Sequence, residues 1–99
     1  MGEFEQLVLL AVLRLDNRAY GMGIREEIER RTGRDVSYGA VYATLDRLQR
    51  KGFVRFDMGE ATPERGGRAR KYFGVEAPGR EALRSTRTAL AVMWDGVSI

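Results

Sequence analysis

The 99-residue sequence contains no cysteine and no histidine. Without cysteine there is no disulfide, no thiolate zinc site and no thiol nucleophile. Without histidine the imidazole base and the commonest transition-metal ligand are missing as well. An enzyme built on this chain would have to work with carboxylates, Lys, Tyr or Ser. No convergent acidic pair at metal-binding spacing offers itself, so no reaction is assigned and no cofactor is expected. Long hydrophobic runs are lacking too. The longest, Leu7 to Leu13, falls far short of the ~20 residues that span a bilayer, and no charged-then-apolar leader opens the chain. No membrane partner is expected, and the cytoplasm is the default location. Internal repeats and low-complexity tracts are also absent.

What is present reads as one small globular domain. A chain of this length buries only a modest share of its surface by folding alone, so cover from a second copy is expected. Hydrophobic residues make up 43% and charged residues 31%, a balance typical of a folded, water-facing protein. The net charge of +3 is mild, and its distribution says more than its total. Arg65, Arg68, Arg70 and Lys71 place four positive charges in seven residues with no acid among them.

The hydrophobic pattern divides the chain into helices and strands. Phe4 to Leu15 reads as a first helix, with Glu3 and Glu5 near its positive end. Phe4, Leu7, Val8, Ala11 and Leu15 form one stripe. Leu9, Leu10 and Leu13 widen it beyond a single face, which predicts burial on more than one side and a second protomer as the extra cover. After the break at Asp16 and Asn17, Tyr20, Ile24 and Ile28 recur every fourth residue on a second helix that Gly33 should stop. Its mixed Arg25, Glu26, Glu27, Glu29, Arg30 and Arg31 read as an ordinary ion-paired surface. Gly21 and Gly23 weaken its first turn, which is tolerable if something packs close there. Ser37 is the expected N-cap of a third helix reaching Gly52. Val41, Leu45 and Leu48 form its apolar stripe, Gly39, Ala43, Asp46, Arg47 and Arg50 lie opposite, Tyr42 sits on the flank, and Tyr38 should be partly buried.

Val54, Phe56 and Met58 alternate with Arg55 and Asp57 as a half-buried strand. A Gly-rich loop follows, and "RKYFGV" returns as a second strand, making a hairpin. Pro78 and Gly79 open a last helix on which Leu83, Thr86, Leu90, Met93 and Val97 fall at alternating three- and four-residue spacings. That seam has no partner in so short a chain.

Three helices followed by a hairpin is the order of a winged helix-turn-helix, in which the third helix enters the major groove and the hairpin is the wing. The expected fold is therefore mainly α with a small β-hairpin: a winged helix domain over residues 1–76 and a dimerisation helix over 77–99. Small residues at Gly39, Ala40 and Ala43 would let the backbone approach the bases. Tyr20, Ser37, Tyr42 and Arg47 complete the expected reading surface, and Arg65, Arg68, Arg70 and Lys71 are expected on phosphates or a minor groove. A basic cluster is usually just solvated surface; its place on a hairpin behind a recognition-type helix favours nucleic acid.

The stretch "SYGAVYATLDRLQRKGFV", residues 37 to 54, resembles the signature of PadR-type transcriptional regulators: Ser-x-Gly-x-aliphatic-Tyr, then Leu-x-x-Leu-x-x-x-Gly with an aromatic and an aliphatic residue to follow. Tyr20-Gly21 with Ile24 is similar to that family's second-helix start, and "RKYFGV" with Gly79 to its wing strand and exit. Phe73 stands where the family usually has Tyr, and Glu76 where it usually has Thr. The resemblance implies a homodimeric repressor on double-stranded DNA. Its last helix would contact the partner's first helix, and a small aromatic effector would release it. The expected dimer contacts are Leu9, Leu10, Leu13, Leu83, Leu90, Met93, Trp94 and Val97. Trp94 reads chiefly as an interface anchor, with a stacking platform for a flat ligand as the lesser reading. The rival function is a winged-helix module that binds a protein and has no operator.

Overall fold

The structure, a computed structural model, describes residues 1–59 and 70–99. Four helices and three short strands follow in the order α1 (Glu3–Arg14), β1 (Ala19–Tyr20), α2 (Gly21–Thr32), α3 (Tyr38–Arg50), β2 (Val54–Met58), β3 (Lys71–Val75) and α4 (Ala77–Trp94). The helices and both hairpin strands lie where the apolar pattern puts them, except that α4 stops at Trp94, short of Val97. The strand β1 is an addition. Two residues are too few to show a period, and only the finished sheet reveals them, because β1 pairs with β3 rather than with a sequence neighbour.

The core collects Val8, Leu9 and Val12 from α1, Ile24 and Ile28 from α2, Val41, Leu45 and Leu48 from α3, and Val54, Phe73 and Val75 from the sheet. This corrects the reading of α1. Leu9 is fully buried in its own chain, so it has no surface to offer a second protomer. Leu10, by contrast, is 45% exposed. The buried face of α1 also includes Glu5, a charge that the apolar stripe could not reveal.

Local chemistry sets the helix boundaries. Gly33 closes α2 in the left-handed region at φ 72°, with its N–H donating to the Glu29 carbonyl, a conformation that costs little without a Cβ. Side chains of α2 also fix the turn into α3. The Arg25 Nε donates to the Val36 carbonyl at 2.7 Å, and Glu29 accepts from the Val36 N–H at 3.0 Å. The Ser37 hydroxyl then accepts from the Ala40 N–H at 3.1 Å, satisfying one of the first-turn donors that a helix leaves unpaired.

The antiparallel sheet runs β1-β3-β2. Val54 faces Val75, Phe56 faces Phe73 and Met58 faces Lys71. Only Val54 of the three alternating β2 residues is buried, whereas Phe56 and Met58 are exposed: the hairpin continues beyond the helices that cover its root. At the far side, Glu76 precedes α4 without a side-chain cap. Its N–H donates to the Phe53 carbonyl at 2.8 Å instead, so the backbone supplies an anchor that a capping side chain would otherwise give. Gly79 is the one buried residue of α4. Leu83 and Thr86 are half-buried, and from Arg87 onward every residue is exposed. No described helix is long and apolar enough to cross a membrane.

Candidate nucleic-acid interface

The third helix turns Val41, Thr44, Leu45 and Leu48 inward, which leaves Gly39, Ala40 and Ala43 exposed at its N-terminal half. Among the described residues, no neighbouring atom lies within 4 Å of the position a Cβ on Gly39 would take. The outer face therefore begins as open backbone with only methyl groups on it, a surface that can approach the edges of base pairs closely. Further along it, Asp46 and Arg50 pair with each other at 3.3 Å, so that end of the face carries little net charge.

One flank of α3 is aromatic. Tyr38 and Tyr42 stack with ring centres 5.2 Å apart and planes 13° apart. Both are equally exposed, which corrects the expectation that Tyr38 is the more covered of the two. Tyr42 packs on the first turn of α2, where a Cβ on Gly21 would stand 2.5 Å from the ring. Gly21 is thus the close approach that its weak first turn required. Burial, together with the Tyr38 hydroxyl, holds the Tyr42 phenol above its usual value, against the opposing effect of the Gly21 N–H.

The other flank binds α3 to α1. Lys51 donates to both oxygens of the buried Glu5 carboxylate at 3.0 and 3.1 Å. The Arg47 Nε lies 3.7 Å from the same carboxylate, and its Nη2 donates to the Thr44 hydroxyl at 3.1 Å. Arg47, expected to reach outward, is drawn back toward α1. Burial pushes the Glu5 carboxyl up, but the Lys51 ammonium, a Gly2 backbone contact and the Arg47 guanidinium outweigh it and leave the carboxyl below its usual value. A buried charge without such partners would be costly.

Tyr20 ends β1 immediately before α2, and its ring meets Tyr72 of the wing edge-on at 5.9 Å. Contacts therefore run from Tyr38 through Tyr42 and Gly21 to Tyr20 and Tyr72, joining the flank of α3 to the wing through all four tyrosines of the chain. Tyr72 and Tyr38 are not among the expected contacts, since neither the β1–β3 pairing nor the stack can be read from spacing. Arg70 and Lys71 stand at the outer end of the described hairpin, where Lys71 faces Met58. Arg65 and Arg68 lie outside the described residues.

The seam residues of α4 are uncovered toward its end: Leu90 is 49%, Met93 74% and Trp94 53% exposed. Val97, expected as the last residue of that seam, lies beyond the helix, which stops at Trp94 before the left-handed Gly96 at φ 82°; it is 54% exposed. Leu13 and Leu83 are half-buried against the core. Between α1 and α4 runs a groove of about 370 Å³ with Leu10, Leu13, Leu83 and Leu90 on its walls and Arg80, Arg84 and Arg87 along one side.

Solved structures share this arrangement. A PadR family transcription regulator from Clostridium difficile R20291 superimposes with a TM-score of 0.78 at 18% identity, covering 95% of this chain and 93% of that one. A PadR family transcriptional regulator from Eggerthella lenta DSM 2243 gives 0.73 at 24% identity, covering 95% and 81%. F93 from STIV, a winged-helix DNA-binding protein, gives 0.72 at 19% identity, covering 91% and 89%. These likenesses concern the fold, which is that of a winged helix. No curated protein matches the sequence. Residues 9–85, from the middle of α1 to the middle of α4, match the PadR-like family of transcriptional regulators, and the chain belongs to that DNA-binding, non-enzymatic family.

Proposed function

We propose that the chain is a cytoplasmic homodimeric repressor that binds a roughly palindromic operator and leaves it when a small aromatic compound binds. The observation that carries this reading is the pairing of two surfaces on one small body. The open Gly39, Ala40 and Ala43 face of α3 suits close approach to bases, and the uncovered apolar end of α4 suits a second copy. A twofold dimer would present two α3 helices to half-sites spaced about one DNA turn apart. Residues 77–99, of which Ala77–Trp94 are helical, then serve as the dimerisation segment. Leu10 and Leu13 on α1, with Leu83, Leu90, Met93 and Trp94 on α4 and Val97 just beyond it, supply the contact, while Leu9 stays in the core. The groove between α1 and α4 adjoins that contact and supports the reading that a flat apolar effector would disturb it.

Two linked experiments test the proposal. A dimer making ~6 to 10 phosphate contacts loses ~10³ to 10⁵ in affinity between about 50 and 200 mM salt, which a mobility-shift titration on the gene's own upstream DNA measures. Leu90→Asp should give monomers in sedimentation and lose operator binding with them. Binding indifferent to salt, or no retention of any DNA by an intact dimer, would favour a protein-binding module instead.

A further inference from the structure

Arg70 immediately precedes β3, where its carbonyl accepts from the Gly59 N–H at 2.7 Å, and Lys71 is the first residue of β3. Successive residues of an extended chain project to opposite faces. Arg70 meets Tyr20, the cross-strand partner of Tyr72, and Lys71 meets Phe56, the partner of Phe73, so the two cations lie on opposite sides of the wing. Each lands on an aromatic ring. The Arg70 guanidinium lies 4.5 Å from the centre of the Tyr20 ring, and Tyr72 braces that ring edge-on. On the other face the Lys71 ammonium lies 3.9 Å from the centre of Phe56 and 5.5 Å from that of Phe73. Phe73 is buried beneath, while Phe56 remains 41% exposed. Hydrophobic burial accounts poorly for a phenylalanine left so open, and its contact with Lys71 gives it another role.

Two neighbouring cations have carboxylate partners, although the Arg18 guanidinium in addition lies 4.0 Å from the centre of the Tyr72 ring. Arg18 meets Asp57 at 3.0 Å, and Arg55 meets Glu76 at 3.8 Å. A carboxylate partner cancels a cation's charge, whereas the face of a ring attracts the cation and leaves its net charge in place. Arg70 and Lys71 are thus held in position and still attract an external anion. No carboxylate among the described residues pairs with either.

We propose that Tyr20 and Phe56 are positioning residues that hold Arg70 and Lys71 on opposite faces of the wing, so that the two cations grip phosphates on the two different strands bordering one DNA groove. The minor groove, about 6 Å wide, is narrow enough for a hairpin entering edge-on to have a phosphate ribbon on each side. This rests on the DNA-binding reading and adds to it a division of labour between the two strands.

The test combines salt titration of duplex binding with neutral methylphosphonate linkages placed in one strand at a time. Arg70→Ala and Tyr20→Leu should each flatten the dependence of log affinity on log salt by about 0.9 for every phosphate no longer neutralised, while Tyr20→Phe, which keeps the ring, should not. Lys71→Ala and Phe56→Leu should behave alike, with Phe56→Tyr spared. Methylphosphonates in one strand should lose their effect on Arg70→Ala, and those in the opposite strand their effect on Lys71→Ala. In the free protein, the motion of the Arg70 Nε by nuclear relaxation should be restricted and should increase in Tyr20→Leu. Folded Leu variants with wild-type slopes, both cations mapping to the same strand, or a freely moving Arg70 in the wild type would each overturn the proposal while leaving DNA binding intact. Wild-type protein that binds no duplex would overturn the DNA-binding reading, and the proposal with it.

Discussion

The ring of Tyr42 occupies the space that a side chain on Gly21 would need, with the position of a Cβ there only 2.5 Å from the ring atoms. The first turn of α2 and the aromatic flank of α3 are therefore in contact because residue 21 is a glycine. Gly21→Ala should force the ring aside. Because the atoms in its way are the outer end of the half-open Tyr42 side chain, the loss should stay at or below about 1 kcal/mol, the low end for overpacking. Urea denaturation checks the loss. Tyr42→Ala in the Gly21→Ala background should recover part of it, because the clash then disappears.

Glu5 ties α1 to Lys51 and Arg47 at the end of α3, and its carboxyl is lower in the folded state than its ordinary value of 4.5. The folded protein thus holds that proton less tightly than the unfolded chain does. The resulting stabilisation is fully present above about pH 4.5 and disappears as pH falls through the lower folded value. Glu5→Gln should cost about 1–3 kcal/mol at neutral pH, the range for breaking a charged hydrogen bond. The difference from wild type should shrink on acidification through that window. Parallel urea curves at neutral and acidic pH measure it, and a constant difference would show that the carboxylate is not the source.

Asn17 joins the exit of α1 to the wing. Its Oδ1 accepts from the Val75 N–H at 2.7 Å, its Nδ2 lies 3.4 Å from the Val75 carbonyl, and its φ is 59°. Asn17→Gly keeps the left-handed backbone accessible and removes only the hydrogen bonds. It should lower stability by about 1 kcal/mol. Asn17→Ala loses the same bonds and adds backbone strain, so it should cost more. Thermal unfolding of the pair separates the two contributions.

Leu9 and Leu10 are chain neighbours with opposite surroundings, one fully buried and the other 45% exposed. Leu9→Ala should cost about 2–5 kcal/mol through the cavity it leaves. Leu10→Asp should leave the isolated fold nearly unchanged and weaken the proposed dimer. Sedimentation and urea unfolding of both variants provide the comparison.

The sequence pattern places the four helices and the hairpin because each has a long enough apolar period or a recognisable stop: Ser37 before α3, Gly33 after α2. It does not place β1, whose two residues become a strand only by pairing with residues more than fifty positions away. The same limit applies at the interface. Gly39, Ala40 and Ala43 are legible because they are small on the outward face of a helix. Arg47 is misread from the pattern because its direction is set by Glu5, a charge on another helix that the stripe of α1 does not mark as buried. Leu9 reads as a partner contact because an apolar stripe wider than one face does not reveal which edge the rest of the chain will cover. The seating of Arg70 on Tyr20 likewise needs the β1–β3 register, which no local spacing encodes.

The most direct test of the account is a mobility-shift titration of wild type and Gly39→Leu on the gene's upstream DNA and on a scrambled duplex of equal length. Apart from its chain neighbours and the backbone of its own helix, no atom of the described residues lies within 4 Å of a Cβ at Gly39, so the fold has room for the new side chain and an external surface would meet it. The account predicts that the wild type prefers the upstream DNA, and that Gly39→Leu loses the preference while keeping salt-sensitive binding to both duplexes. A folded Gly39→Leu protein with undiminished preference would contradict it.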